Sequence, residues 1–469
     1  MSSDDDVIVP SDFKIASTWK MMSYSFGFIL TLYVLSAYTA FVFYFYEVEV
    51  NLQVELVSLA IILFTIYTIV SSPILGYLTD KPFKWSKKWG FRFPWIIFST
   101  IPILIFYVLL YTPPNVDANS NPWLLFWYLL ITSCIFGTFL SIFRQHYEGG
   151  FANHFREEFE RRRASALAFI FPGMLLFILN IIPFFILKYG DKSSFVLTAI
   201  VSSIIMGICV LCLIPGIRET QEIKFRYIQG YEDTDRLSFL KMMKISLTQR
   251  NFTVSLLSST LVTFAGTLNM ASGIYFFKDV LRLPIIYSIY PSIAFYLAVM
   301  ISLPFWVSFA AKHGILKTYI IGILLSTLAY IPYLWITTLE ETIIYAIPRG
   351  IAYSCFSAMV LPLTADCYDE VTLACGKHQE ATLLGIRTIF MRSAVIFQAL
   401  IIAYIHIVTG YNPNPEATQT AQAIWGIRVH QALIPLIFCF AATIVMLLWF
   451  DLKGEKKIAM KSKMRELGL

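Results

Sequence analysis

The amino-acid sequence predicts an all-α polytopic membrane protein whose twelve transmembrane helices form two six-helix bundles. Three observations lead there. Apolar residues make up 57% of the 469-residue chain and charged residues 14%, against roughly 45–50% and about 25% in soluble domains. Twelve apolar runs are long enough to cross a bilayer, which takes about 20 helical residues. A single long polar stretch interrupts them, after the sixth.

The first run, 22–46, follows an acidic, polar start (Asp4, Asp5, Asp6) and is too long for the apolar core of a cleavable signal, so it is expected to stay as span one. Runs at 54–77, 94–112, 122–145, 165–187 and 194–215 complete a first bundle assigned to residues 1–217. Residues 218–250 form a charged cytoplasmic linker. Within it Phe239, Leu240, Met243 and Leu247 recur at helical spacing, opposite Lys241 and Lys244, as in a helix lying on a membrane surface. Runs at 252–277, 286–310, 315–337, 342–363, 382–408 and 430–450 make the second bundle, 251–452, and a basic tail occupies 453–469. The loop from Ala310 to Lys317, after span eight, is a reduced echo of the basic loop after span two. Twin bundles of this kind rock about a central site in many carriers. Prolines inside spans, among them Pro102, Pro172, Pro183, Pro304 and Pro362, each remove a backbone donor. Membrane helices tolerate this when neighbours satisfy the freed carbonyl.

Charge placement orients the chain. One set of loops holds Lys81, Lys84, Lys87, Lys88, Arg92, Arg156, Arg161, Arg162, Arg163 and the tail from Lys453 to Arg465, while the opposite set is poor in Lys and Arg. The positive-inside rule then puts both termini in the cytoplasm of a multi-pass cell-membrane protein. The net charge of +6 is thus a topology signal, and no nucleic-acid partner is expected. Seven cysteines are scattered, mostly within spans. Cys209 and Cys212 form a CxxC with no His or acid nearby to complete a metal site. No metal, no cofactor and no nucleophile–base set is expected, so an enzyme is the least supported class. His146 and His406 are read as incidental.

Three stretches together resemble the glycoside-pentoside-hexuronide cation symporters of the major facilitator superfamily, the group that includes the melibiose carriers. The first is Pro73-Ile74-Leu75-Gly76-Tyr77-Leu78-Thr79-Asp80 with Trp89 to Trp95. The second is Ala365-Asp366-Cys367-Tyr368-Asp369-Glu370 with Gly376, Lys377, His378 and Glu380. The third is Gly410-Tyr411 through Gln422, Gly426 and Pro435. The resemblance implies the major facilitator fold, alternating access, a small-molecule solute and a monomeric carrier. It also implies gating roles for Gly76, Asp80, Arg92, Asp366, Asp369 and Glu380.

The departures from that pattern have a direction. The family binds its coupling cation and sugar through acids in spans one, two and four. Here span one has no acid before Glu47, and span two offers Thr68, Ser71 and Ser72 where the cation carboxylates are expected. The span-four acid position falls on Arg144, the family's span-five Arg falls near Phe169, and its span-eleven lysine appears as Arg392. Hydroxyls are poor sodium ligands beside carboxylates, whereas Arg offers planar paired donors suited to carboxylate or phosphate. Arg144, Glu148 and Arg392 are therefore candidate substrate residues, and an anionic or acid-bearing solute is favoured. Glu148, four residues after Arg144, is either its structural partner or the titrating group of a proton-coupled carrier. Arg387 lies about a turn and a half from Arg392 and need not face the same way. Trp123, Trp127, Tyr128, Trp306 and Trp335 fit interfacial belts or sugar stacking. Two other functions stay open: a lipid or amphiphile carrier of the same fold, and a non-transporting membrane sensor.

Overall fold

The structure, a computed structural model, describes residues 17–79, 89–155, 158–220, 239–376 and 380–466, and every element among them is helical. Each of the twelve apolar runs lies in a helix. Ten are long spans: Thr18–Glu49, Val54–Thr79, Pro122–Phe151, Lys192–Ile217, Arg250–Val280, Ile285–His313, Ile315–Leu334, Leu339–Cys375, Thr382–Thr409 and Ala421–Trp449. Phe93–Leu109 is shorter, and it and the apolar part of the helix Glu158–Ile186 complete the set as spans three and five. They are called spans one to twelve in chain order below.

Span ten outruns the sequence estimate, and its ends show why. It starts on a capping box: the Thr338 hydroxyl accepts from the Glu341 N–H at 3.3 Å, and the Glu341 carboxylate accepts from the N–H of Thr337 and Thr338 at 2.8 and 3.2 Å. It stops at Gly376, whose φ of 69° is the left-handed conformation that ends helices cheaply in glycine. Nothing between breaks it, so Asp366, Asp369 and Glu370 ride the final turns of the span itself.

Spans pack where small residues let backbones meet, since apolar side chains gain nothing by leaving lipid for protein. At Gly216 of span six a Cβ would stand 2.2 Å from the backbone N of Tyr24 in span one. The Ser23 hydroxyl uses that closeness, donating to the Cys212 carbonyl at 2.6 Å and accepting from the Gly216 N–H at 2.8 Å. Gly350 of span ten does the same against the Phe295 carbonyl of span eight, where a Cβ would sit 2.4 Å away. Between the first six spans and the last six, the main contacts join span two to eleven, one to seven and five to eight.

Spans one and seven end in the same device. Phe45–Glu49 and Phe276–Val280 are each five-residue π-turns. In the first, Val50 donates to Phe45 at 2.9 Å and Leu52 to Tyr46 at 2.9 Å; in the second, Leu281 donates to Phe276 and Leu283 to Phe277, both at 3.0 Å. Each is followed by a residue of positive φ, Asn51 at 64° and Arg282 at 55°. Two further π-turns interrupt spans: Val429–Leu433 in span twelve near the same end, and Tyr38–Val42 earlier in span one.

The helix Phe239–Thr248 packs against spans seven, ten and eleven. Met242 and Ser246 are buried, Phe239, Met243 and Leu247 of the expected apolar face pack half-buried beside them, and Leu240 of that face is exposed. The cysteines are all free. Trp123, Trp127 and Trp335 are exposed, as lipid-facing aromatics would be. Trp306 is buried and donates to the Ile351 carbonyl at 3.0 Å, so it belongs to packing instead.

Candidate functional site

Arg392 of span eleven crosses between the two groups of spans. Its guanidinium donates to the Thr68 carbonyl at 2.8 Å and to the Ser72 hydroxyl at 2.6 Å, both in span two. Ser72 is saturated by this: it donates to the Thr68 carbonyl at 2.6 Å and lies 3.0 Å from the Ser141 hydroxyl of span four. Gln145, one turn along span four, donates to the Ser72 carbonyl at 2.5 Å. Thr68 turns its own hydroxyl back to the Thr65 carbonyl at 2.9 Å, and the buried Ser71 hydroxyl has no partner among the described residues. Of the three span-two hydroxyls, Ser72 is the one that bonds the guanidinium among the described residues.

Arg144 and Glu148 form an ion pair at 2.6 Å, with side chains 34% and 39% exposed. Both lie within electrostatic reach of Arg392. Among the described residues, two guanidinium groups against one carboxylate leave one positive charge in excess at the junction of spans two, four and eleven. Arg387 points elsewhere, into a narrow cleft of the second half lined by Phe252, Ser255, Ser259, Thr364 and Tyr368.

The residues tied to gating are distributed as follows. Gly76 makes room for Gln145, whose Oε1 would lie 2.8 Å from a Cβ there. Arg92 packs on Gly149, where a Cβ would meet its Nη1 at 2.2 Å, and reaches the Gln145 carbonyl at 3.4 Å. Just before span three, the Glu219 carboxylate accepts from the N–H of Phe91 at 2.7 Å and of Arg92 at 2.6 Å. Asp366 pairs with Lys457 and, at 3.5 Å, with Lys461 of the tail helix Glu455–Glu466. Asp369 immediately precedes Glu370, which accepts from Asn251 at 2.8 Å. Asp80 and the Glu380 side chain lie outside the described residues.

The reading of His406 as incidental is overturned. Its Nδ1 lies 2.7 Å from Glu47 Oε1, and its Nε2 lies 3.3 Å from Nε2 of His430. Tyr275 donates to Glu47 Oε2 at 2.5 Å, and His430 Nδ1 lies 2.6 Å from the Ser272 hydroxyl. This cluster is buried, and it joins span one to spans seven, eleven and twelve. Its members are spread over four spans, so no local spacing betrays it. His146 is buried too, stacked on Trp95 at 5.8 Å, with no hydrogen-bond partner for either ring nitrogen among the described residues. Among the described residues no group of three or more His, Cys, Asp or Glu could hold a metal ion.

Comparison with known proteins places the arrangement. A glucuronide carrier protein homolog of Escherichia coli is 21% identical over 453 residues, 94% of either chain. The sodium-dependent lysophosphatidylcholine symporters of Danio rerio and Gallus gallus are 29% identical over 119 residues and 32% over 97. The chain covers only 21% and 17% of the length of those two proteins. Among solved structures, a POT peptide transporter superposes with a TM-score of 0.59 at 12% identity, covering 96% of this chain and 95% of its own. A nucleoside transporter gives 0.52 at 13%, covering 92% and 99%. These likenesses fix a transporter fold. The sequence pattern described as MFS/sugar transport protein runs from residue 21 to 454, and the chain belongs to that family of secondary membrane transporters.

Proposed function

We propose that this protein carries a small acid-bearing solute, a sugar acid or related organic anion, across the cell membrane by alternating access, without sodium as the coupling ion. One observation carries the reading: the unmatched positive charge where Arg392 meets span two, beside hydroxyls at the positions of the family's cation carboxylates. The name of the long E. coli relative, a glucuronide carrier, agrees with such a solute. The basic loops favour cytoplasmic termini.

The geometry suggests how binding drives movement. Arg392 is held by neutral acceptors, a carbonyl and a hydroxyl. A carboxylate brings a full negative charge and can take the guanidinium through two parallel bonds, so an arriving anion draws it from span two and loosens the contact between the halves. Arg144 and Glu148 supply a second guanidinium that the same anion competes for. Gly76, Asp80, Arg92, Asp366, Asp369 and Glu380 are assigned to the cytoplasmic gate around this contact.

Uptake into proteoliposomes tests this, with sugar acids, neutral glycosides and a lysophospholipid, each with and without an imposed Na⁺ gradient. Sugar-acid uptake indifferent to Na⁺ is expected, falling roughly ten- to hundredfold in Arg392→Ala, the value of one charged hydrogen bond. Na⁺-driven uptake of a neutral glycoside overturns the proposal, and uptake of the lysophospholipid alone makes the protein an amphiphile carrier.

A further inference from the structure

The buried cluster far from Arg392 has its own chemistry. It links Glu47 of span one to Tyr275 and Ser272 of span seven, His406 of span eleven and His430 of span twelve. Glu47, His406 and His430 are each no more than 3% exposed. Three π-turns surround it, at 45–49, 276–280 and 429–433, and such turns gather at functional sites. Ionisable groups at this depth are costly, and functional by default.

Proton bookkeeping along the chain gives two complete assignments for the same heavy atoms. In one, Ser272 donates to the Leu268 carbonyl (2.6 Å), His430 Nδ1–H donates to Ser272, and His406 Nε2–H donates to His430 Nε2. A further proton then lies between His406 Nδ1 and Glu47 Oε1. In the other, Ser272 donates to His430 Nδ1, His430 Nε2–H donates to His406 Nε2, and His406 Nδ1–H donates to an ionised Glu47. Tyr275 donates to Glu47 Oε2 in both. Every hydrogen bond between ring and partner is made either way, with its direction reversed. The assignments differ by one proton, and the first is neutral overall where the second carries one negative charge.

The geometry points to this cluster as a proton-binding site, its ligand the proton that couples transport, an inference that rests on the transporter reading above. Nearby charges leave Glu47 uncompensated. Lys278 is matched by Asp279 at 3.2 Å, and Asp279 also accepts from Tyr411 at 2.9 Å. Glu49 accepts from the Gly190 N–H, and Arg428 donates to the Tyr333 carbonyl at 3.3 Å. Tyr44 and Tyr411 add only neutral rings, the latter stacked on His406 at 4.2 Å. A lone buried charge is expensive, and the first assignment leaves none where spans one, seven, eleven and twelve meet at this end. Opening that end parts Glu47 from Tyr275 and His406, admits water, and lets the proton leave. Proton release therefore accompanies opening.

Infrared pH-difference spectra of the full-length protein in liposomes test the site without any solute. A protonated-carboxyl band that appears on acidification together with imidazole changes, and is absent in Glu47→Gln, is expected. A titration identical in Glu47→Gln and wild type overturns the proposal. Should that variant not fold, nitrogen NMR of wild-type histidine decides: His406 and His430 must exchange tautomers together in one step, and independent or absent titration overturns the idea. In transport, Glu47→Gln is expected to lose pH-gradient-driven accumulation at least tenfold while keeping solute counterflow, which needs no net proton movement. Unchanged accumulation also overturns it. If the wild type moves none of the sugar acids, the substrate reading fails, and the two spectroscopic results still decide this one.

Discussion

Ser72 spends its one hydroxyl on three neighbours: it donates to Thr68 and is approached by Arg392 and Ser141. Ser72→Ala leaves the anion only the Thr68 carbonyl to displace from Arg392, so KM for an anionic solute should fall, by roughly tenfold if the lost bond is worth about 1.5 kcal/mol as one to a charged group. Ser72→Asp should behave oppositely to a restored cation site. Its carboxylate gives Arg392 a permanent partner, so KM for an anionic solute rises while Na⁺ still fails to stimulate; uptake assays at several solute concentrations check both variants. Arg392 was legible in the sequence because an Arg inside an apolar run is costly without a role. Its partner was not, because Ser72 stands 320 positions away. His406 was misread for the same reason: Glu47, 359 positions distant, gives it meaning, and a lone His in an apolar run carries no local sign of that.

At the scale of helices, close crossings are set by glycines whose effects should differ sharply. Gly216→Ala and Gly350→Ala drive a Cβ into backbone atoms at 2.2 and 2.4 Å, and each should destabilise by about 1–3 kcal/mol as overpacking does. Gly266 in span seven has nothing within 4 Å of its Cβ position. Gly266→Ala should be neutral or stabilising by up to about 1 kcal/mol through helix propensity. Thermal unfolding of the detergent-solubilised variants separates the two cases. The twelve helices were readable from hydropathy because lipid demands long apolar runs. The matched π-turn ends of spans one and seven were hidden, since Phe45-Tyr46-Glu47 and Phe276-Phe277-Lys278 share a backbone path but not their charges.

For the whole molecule, acid should loosen the second half at one end before the rest. Asn251 bonds Asp451 at 2.9 Å, Lys456 bonds it at 2.6 Å, and the Lys456 contact first, then Asn251, holds the Asp451 carboxyl below its usual range. A carboxyl depressed on folding lends stability above the unfolded value, about 4, and loses it as pH falls further. Hydrogen exchange near residues 451–457 should therefore quicken below about pH 4 in the wild type, and lose that dependence in Asp451→Asn. The two-bundle organisation could be expected from the single polar interruption. Which spans touch across it could not, because those pairings depend on tertiary closure and on no feature of either run.

The Glu219 carboxylate, fastened to the N–H groups that open span three, has a mechanical consequence. Glu219 stands two positions past the end of span six at Ile217, where the chain leaves for the second half. Any pull transmitted through the connecting segment as the halves turn is delivered to the first turn of span three, next to the loop from span two. Glu219→Ala should thus break the link between the end of span six and the first turn of span three, and uncouple that turn from the movement of the second half without touching the solute site.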